Sequence, residues 1–261
     1  MHNCSIWVGW HHKIELRTMR ILRHGGDEPM SHISRRDFLM GTAAVITAGM
    51  TLEGESSSAK AKTPQGPPIK CGIIGTGVQG RKLIRELTRM PGVEIVAVCD
   101  IYERNLQRGA KSIGKEVHTY TDYKQMLDRE KDMQAVIIAT PPALHVPMSI
   151  DALQAGKHVF CEAPLALDIE ECKRMVRTVR QSDRIFQVGH QRRYNRLYKH
   201  ALKFVKTGAI SRVVQVRAQW HRKDSWRRVV SNRAHKKLLN WRLYKATSGG
   251  LLAEYGSHQL D

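Results

Sequence analysis

The sequence predicts an α/β fold organised around a doubly wound parallel sheet, and three observations carry that expectation. The stretch KCGIIGTGVQGRKLIREL, Lys70 to Leu87, reads as a short buried strand, a glycine turn and the start of a helix. VEIVAVCD supplies a second apolar strand that ends on an acid, Asp100. MQAVIIAT supplies a further strand apolar on both faces, as a strand covered from both sides must be. Strands that alternate with helical segments build parallel sheets flanked by helices.

In chain order the first recognisable feature is an address. SHISRRDFLMGTAAVITAGMTLEGESSSAKA pairs Arg35 and Arg36 with a modestly apolar stretch from Phe38 to Leu52, and resembles a twin-arginine (Tat) export signal. The expectation is a signal peptide over residues 30–61, cleaved after Ala61 in the small-residue sequence Ala59-Lys60-Ala61. Residues 1–29 then read as an upstream extension from a misassigned start codon, and the protein as periplasmic or otherwise exported. No run approaches the roughly 18 to 20 apolar residues needed to span a bilayer, so no membrane span is expected.

A linker over residues 62–68 leads into a nucleotide-binding domain expected over residues 69–188. Ile69 to Ile74 is the first strand and Gln79 to Met90 the first helix. Between them Gly75, Gly77 and Gly80 match G-x-G-x-x-G, with Val78 and Gln79 placing their amides at the helix start. The first glycine permits the tight turn, the second lets a pyrophosphate approach the backbone, and the third lets helix and strand pack closely. Asp100 lies twenty positions after Gly80, where a carboxylate can accept from ribose hydroxyls. That acid favours NAD over NADP, while Arg104 close by keeps NADP open. A third strand at Val117 to Tyr120, a helix from Tyr123 to Arg129 and the strand of MQAVIIAT complete a Rossmann-type pattern, and Ile185 to Val188 is a later strand.

Composition bounds the chemistry. At 261 residues and 41% hydrophobic content, the chain can bury the core of one or two domains. Cys4, Cys71, Cys99, Cys161 and Cys172 are scattered without CxxC spacing, which argues for buried thiols and against a disulfide framework or a metal site. Of the formal charge of +19, most is local: Arg192 to Lys245 holds 17 Lys and Arg against one acid, Asp224. Such a field attracts polyanions or anionic sugars, or simply solvates a face or pairs with a partner subunit. No nucleic-acid motif accompanies it, so no specific nucleic-acid partner is expected.

Two further stretches resemble one family. ATPPALHVPMSIDALQAGKHVFCEAPLAL, Ala139 to Leu167, is similar to the T-P-x-x-x-H, A-L-x-x-G-K-H-V and E-K-P run of the Gfo/Idh/MocA family, which groups glucose-fructose oxidoreductase, inositol dehydrogenase and MocA-like proteins. SGGLLAEYGSHQLD resembles its glycine-led D-x-x-x-H segment. The resemblance, running from Ile69 to Asp261, implies a nicotinamide-dependent oxidoreductase acting on sugars or polyols. It implies a Rossmann domain followed by a substrate domain with an open, mainly antiparallel sheet. Relatives continue beyond this last motif, so residues 189–261 are expected to form only the start of a truncated substrate domain. They often associate, so a homo-oligomer is expected of a completed chain.

Carried onto this sequence, the resemblance places Thr140, Pro141, His145 and Glu162 at the cofactor, with His145 shaping the nicotinamide pocket. Ala163 stands where the family has a proton-transferring Lys, and Ala cannot transfer a proton. Glu254 and His258 fill the acid and His positions; four apart, they share one face of a helix. His258 is the expected acid/base and Glu254 the group that orients it or a substrate hydroxyl. His190, Arg192, Arg193 and Tyr194 follow a strand end and are candidates for substrate contact, with a surface turn as the alternative. Trp241 and Arg242 are candidate pocket walls. ISRVVQVRAQW, Ile210 to Trp220, alternates like the first strand of a second, half-exposed sheet. An exported dinucleotide enzyme should leave the cytoplasm with its cofactor bound, which points to tight retention. Three functions stay open: net oxidation of a sugar or polyol, cleavage of a glycosidic bond through transient oxidation, and a non-catalytic nucleotide-binding remnant.

Overall fold

The structure, a computed structural model, describes residues 4–8, 12–16, 66–221 and 225–261. The chain divides into units of residues 1–60 and 61–261. In the first, β1 (Cys4–Val8) pairs antiparallel with β2 (His12–Leu16), placing Ile6 opposite Ile14. The signal expected over residues 30–61 lies outside the described residues.

In the second unit six strands form one parallel sheet: β3 (Ile69–Ile74), β4 (Val93–Cys99), β5 (His118–Tyr120), β6 (Ala135–Ile138), β7 (His158–Glu162) and β8 (Phe186–Gly189). Their order is β5-β4-β3-β6-β7-β8. The helices between them are α1 (Val78–Leu87), α2 (Glu103–Ile113), α3 (Tyr123–Arg129), α4 (His145–Gln154) and α5 (Ile169–Arg180). Adjacent residues of one strand feed opposite cores, as a period of two requires: Ile73, Val98 and Ile137 pack in one cluster, Ile74, Cys99 and Ile138 in the other. The continuous apolar runs that predicted a doubly covered sheet are therefore explained position by position. In the same cores burial pushes the thiols of Cys71 up to about 11 and of Cys99 and Cys161 up to about 12, leaving them inert.

Local chemistry sets the helix ends. Asp122 caps α3 by accepting from the Lys124 amide, and Asp168 caps α5 by accepting from Glu171. Glu170 and Glu171 sit in the first turn of α5, Arg177 and Arg180 in its last, each matched to the helix dipole. α1 ends at Leu87 rather than Met90, with Thr88 as its C-cap. Lys157, from the G-K-H motif, is 5% exposed and donates from Nζ to the carbonyls of Glu130 and Lys131 just past α3. Its cation satisfies orphan helix-end carbonyls, so this motif lysine holds the fold together.

After β8 come a 3₁₀ turn at Gln191–Tyr194, α6 (Arg196–Lys206), α7 (Lys236–Leu239), a π-helical turn at Leu252–Gly256 and α8 (Ser257–Leu260). The strand expected over Ile210 to Trp220 is absent: these residues make no ladder, and Val213, Val214 and Val216 are 50%, 62% and 80% exposed. Among the described residues after Gly189 no antiparallel sheet forms. Alternation selects the face a strand would bury, but a strand exists only where its backbone groups find a neighbouring ladder, and here none lies alongside. Ser211, at φ 59°, also breaks the extended run near its start.

Candidate active site

A cleft of about 660 Å³ opens at the carboxyl ends of β3, β4, β6 and β7. It includes the point between β3 and β6 where the strand order reverses, the place where open α/β sheets bind ligands. The glycine turn forms its floor. Gly75 adopts φ +90°, and a Cβ there would lie 2.6 Å from the Ala139 carbonyl oxygen. A Cβ on Gly80 would overlap the Gly75 carbonyl, so α1 rests directly on the turn. Around a Cβ built on Gly77 nothing lies within 4 Å. α1 starts from Gly77 with no side-chain cap and no acid in its first turn. Its positive end thus faces a space that a diphosphate fits.

At one end of the cleft Asp100 accepts from the Thr76 amide (2.9 Å) and hydroxyl (3.2 Å) on Oδ2 and from the Tyr102 amide (2.8 Å) on Oδ1. An ionised carboxylate offers about four acceptor sites, so capacity for a ribose hydroxyl remains. Arg104 is exposed and does not line the cleft. The cation bonded to this turn is Arg81, whose Nη1 donates to the Thr76 carbonyl at 2.6 Å.

Further along, Glu162 accepts from Gln79 Nε2 at 2.8 Å, tying the end of β7 to the start of α1. Burial pushes its carboxyl above the usual range, opposed by the bond from Gln79. Thr140, Pro141 and Ala163 line the same wall. His145 is 1% exposed, with Nδ1 2.7 Å from the Pro164 carbonyl oxygen and Nε2 2.9 Å from that of Thr140. It cross-ties the loops after β6 and β7. A neutral imidazole donates to only one of these acceptors, yet burial holds the ring below its ordinary 6.5 against both carbonyls. The sign follows: the unfolded imidazole binds a proton that the folded one resists. The stability His145 provides is therefore complete above about 6.5 and lost as the pH falls through the folded value. We expect the melting temperature to fall between about pH 7 and about pH 5, and to fall less in His145→Asn, which cannot titrate. An unchanged acid slope would remove His145 as its source.

Glu254 and His258 also line the cleft. On the π-helical turn that carries it, Glu254 accepts on Oε1 from Ser248 Oγ (3.0 Å) and on Oε2 from Arg242 Nε (3.4 Å). Burial raises the Glu254 carboxyl while Arg242 lowers it. His258 neighbours His190, their ring centroids 5.9 Å apart. Burial first, then the charges of His190 and Arg192, hold the His258 imidazole below its ordinary 6.5, against Asp261.

The residues after β8 are divided between the cleft and the turn behind it. His190, Arg192, Arg193 and Tyr194 do not line the cleft, whereas Gln191 does. Arg192 donates to the His258 carbonyl (2.6 Å), Arg193 pairs with Asp261 (2.6 Å), and Tyr194 is 55% exposed. They form a turn that braces the His258 helix from behind. Trp241 and Arg242 do line the cleft, the guanidinium 4.1 Å from the indole centroid. Sequence reasoning missed Trp220, Trp226 and Tyr255, which share that wall with Tyr255 ring-to-ring at 4.8 and 5.5 Å from the two indoles. The aromatic residues flanking the basic run WHRKDSWRR were the available signal.

A glycine turn at the switch point of a 3-2-1-4-5-6 sheet, with an acid closing the second strand, defines a dinucleotide-binding Rossmann domain. Residues 69–190 match the family described as "Oxidoreductase family, NAD-binding Rossmann fold", GFO_IDH_MocA, so this stretch is a Rossmann domain of the Gfo/Idh/MocA type. It is 30% identical over 252 residues to the alpha-N-acetylgalactosaminidase of Shewanella oneidensis, covering 87% of this chain and 54% of that protein. The chain thus spans about half the length of the curated relatives it matches. Among solved structures it is similar to myo-inositol 2-dehydrogenase from Lactobacillus plantarum, with 37% identity, a TM-score of 0.53 and 56% and 43% of the two chains covered. It is also similar to the WlbA dehydrogenase from Bordetella pertussis, solved with NADH and UDP-GlcNAcA, with 26% identity, a TM-score of 0.62 and 73% and 56% covered.

Proposed function

We propose that the protein is an exported oxidoreductase that moves hydride between a sugar or polyol carbinol and a tightly held nicotinamide dinucleotide, NAD in preference to NADP. One observation carries this reading: the glycine turn, Asp100 and the Glu254 and His258 side chains line one cleft. The first turn of α1 would hold the diphosphate and Asp100 the adenosine ribose, where its charge would repel a 2′-phosphate. Thr140, Pro141, His145 and Glu162 would shape the nicotinamide end. When bound, the dinucleotide supplies the hydride acceptor.

Proton chemistry falls to the chain's own groups. His258, kept neutral by burial, takes the hydroxyl proton as the carbinol is oxidised to a carbonyl. Glu254, fixed by Ser248 and Arg242, presents a carboxylate edge to the substrate. Ala163 brings no proton, so His258 works without the family's lysine. Trp220, Trp226, Trp241 and Tyr255 give the wall the apolar faces that suit a sugar ring's C–H surface. The alternating run from Ile210 suits a strand of a further antiparallel sheet completed by additional strands or a second copy, and α6, which buries none of its residues, suits a helix packed on that sheet's face. Export rests on Arg35 and Arg36 and the apolar stretch behind them.

A second reading, cleavage of a glycosidic bond with no net redox change, is favoured by the match to an alpha-N-acetylgalactosaminidase over 87% of this chain. Product analysis separates the two. Incubation with NAD and free sugars should give NADH and a ketosugar in equal amounts for the first. Incubation with an aryl α-N-acetylgalactosaminide should release sugar without net NADH for the second. A protein that carries NAD and does neither is a remnant, and both readings fail.

A further inference from the structure

Residues 225–241 lie across the end of the cleft that holds Asp100. The His235 ring stands edge-on to Tyr102, centroids 5.0 Å apart, so α7 is anchored beside the turn that follows β4. Arg228, Leu238 and Leu239 line the same cleft as Asp100 and Asn105. The segment is held in shape from within: Asn240, 4% exposed, accepts from the Arg228 amide at 2.7 Å and donates to the Arg228 carbonyl at 3.2 Å. This amide takes the place of a strand neighbour and fixes the backbone from which the Arg228 side chain projects. At its start, Trp226 packs on Tyr255.

The charge at this end is unbalanced. Arg81 is pushed below its ordinary range by burial first and then by Arg108, with Arg228 and Arg85 adding to it and Asp100 opposing. Asp100 already accepts three bonds from Thr76 and Tyr102. Among the described residues the Arg228 guanidinium makes no ion pair. The Arg228 guanidinium, which lines the cleft at this end, favours an anionic, flat ligand, since a guanidinium pairs with phosphate oxygens and stacks on aromatic rings.

We propose that residues 225–241 are a clamp over the adenosine diphosphate half of the dinucleotide, with Arg228 touching it directly and the Tyr102 and His235 rings as the latch. The inference rests on the dinucleotide reading and adds to it: the segment beyond the Rossmann sheet supplies cofactor-binding residues and slows cofactor loss. It also assigns work to part of the basic run, whose charge would otherwise only solvate a face.

The test uses binding, read by fluorescence for NADH and by calorimetry for ADP-ribose and nicotinamide mononucleotide. Arg228→Ala should weaken NADH and ADP-ribose by about 10–100-fold, the range for losing a charged hydrogen bond. Nicotinamide mononucleotide, which lacks the adenosine half, should bind as before, and Arg228→Lys should recover part of the loss. His235→Ala should speed NADH release while leaving its association rate unchanged. Equal ADP-ribose affinity in wild type and Arg228→Ala overturns the clamp and leaves the dinucleotide reading intact. Failure of wild-type protein to bind either NADH or ADP-ribose overturns that reading, and the clamp with it. Melting curves matched to wild type separate lost contact from lost fold.

Discussion

His258→Gln is expected to slow sugar oxidation by about 10²–10⁴-fold, the usual worth of a positioned acid/base, while dinucleotide affinity stays unchanged. The reasoning runs from the cleft. Ala163 offers no proton acceptor, Glu254 is occupied by Ser248 and Arg242, and of the two imidazoles that line the cleft His145 is held against two carbonyls, which leaves His258. The substitution spares the local fold, because the bond that Arg192 makes to position 258 ends on the backbone carbonyl. The pH profile gives a second readout. Since the folded His258 pKa lies below 6.5, the neutral base persists into mild acid, and the acid limb of kcat/KM should fall below the ordinary imidazole range. His190→Gln removes a charge that depresses this group, so the limb should move up. A variant His258→Gln with wild-type turnover would transfer the proton role elsewhere, with Glu254 as the first candidate.

The Rossmann half of the molecule was legible because its signals are local. A buried parallel strand must be apolar on both faces, and a tight turn against a neighbouring backbone must be glycine, so Ile69–Ile74 and Gly75 announce themselves without any tertiary information. The later segment was less legible because its outcomes depend on partners. Ile210 to Trp220 has a strand's alternation and no ladder beside it. Glu254 and His258 have helical spacing, but that spacing does not reveal that the Glu254 carboxylate pairs with Arg242 from twelve positions earlier. Tyr102 and His235 stand 133 positions apart by number, and nothing in either neighbourhood marks the contact. The basic run shows the same division. As composition it left a solvated or partner-facing surface and a polyanion field both open; as structure it separates into Arg192 and Arg193 bracing the His258 helix, Arg242 paired with Glu254, and Arg228 in the cleft.

Two alanine substitutions in one turn should both weaken NAD but differ in stability, and the larger effect belongs to Gly80. Its Cβ would fall on the Gly75 carbonyl, and Gly75 has no room to retreat. Its amide donates to Cys99 at 2.8 Å, and the Ala139 backbone stands against its other side. α1 must therefore lift, which loosens Ile84, fully buried in the core cluster beneath. Overpacking of this kind costs about 1–3 kcal/mol, so Gly80→Ala should lower stability by that amount. It should also weaken NAD by roughly 10–100-fold, because the amides of α1 no longer face the diphosphate. Gly77→Ala meets open space, at a φ of −59° that lies outside the left-handed region. The free protein should melt as wild type does, and only NAD affinity should fall, because the added methyl occupies the approach a diphosphate needs. Denaturant unfolding alongside NAD titration distinguishes the two. Equal losses of affinity with no loss of stability in either variant would mean that α1 can shift without strain. The close seat of Gly80 on Gly75 would then not be what holds the turn in its binding shape.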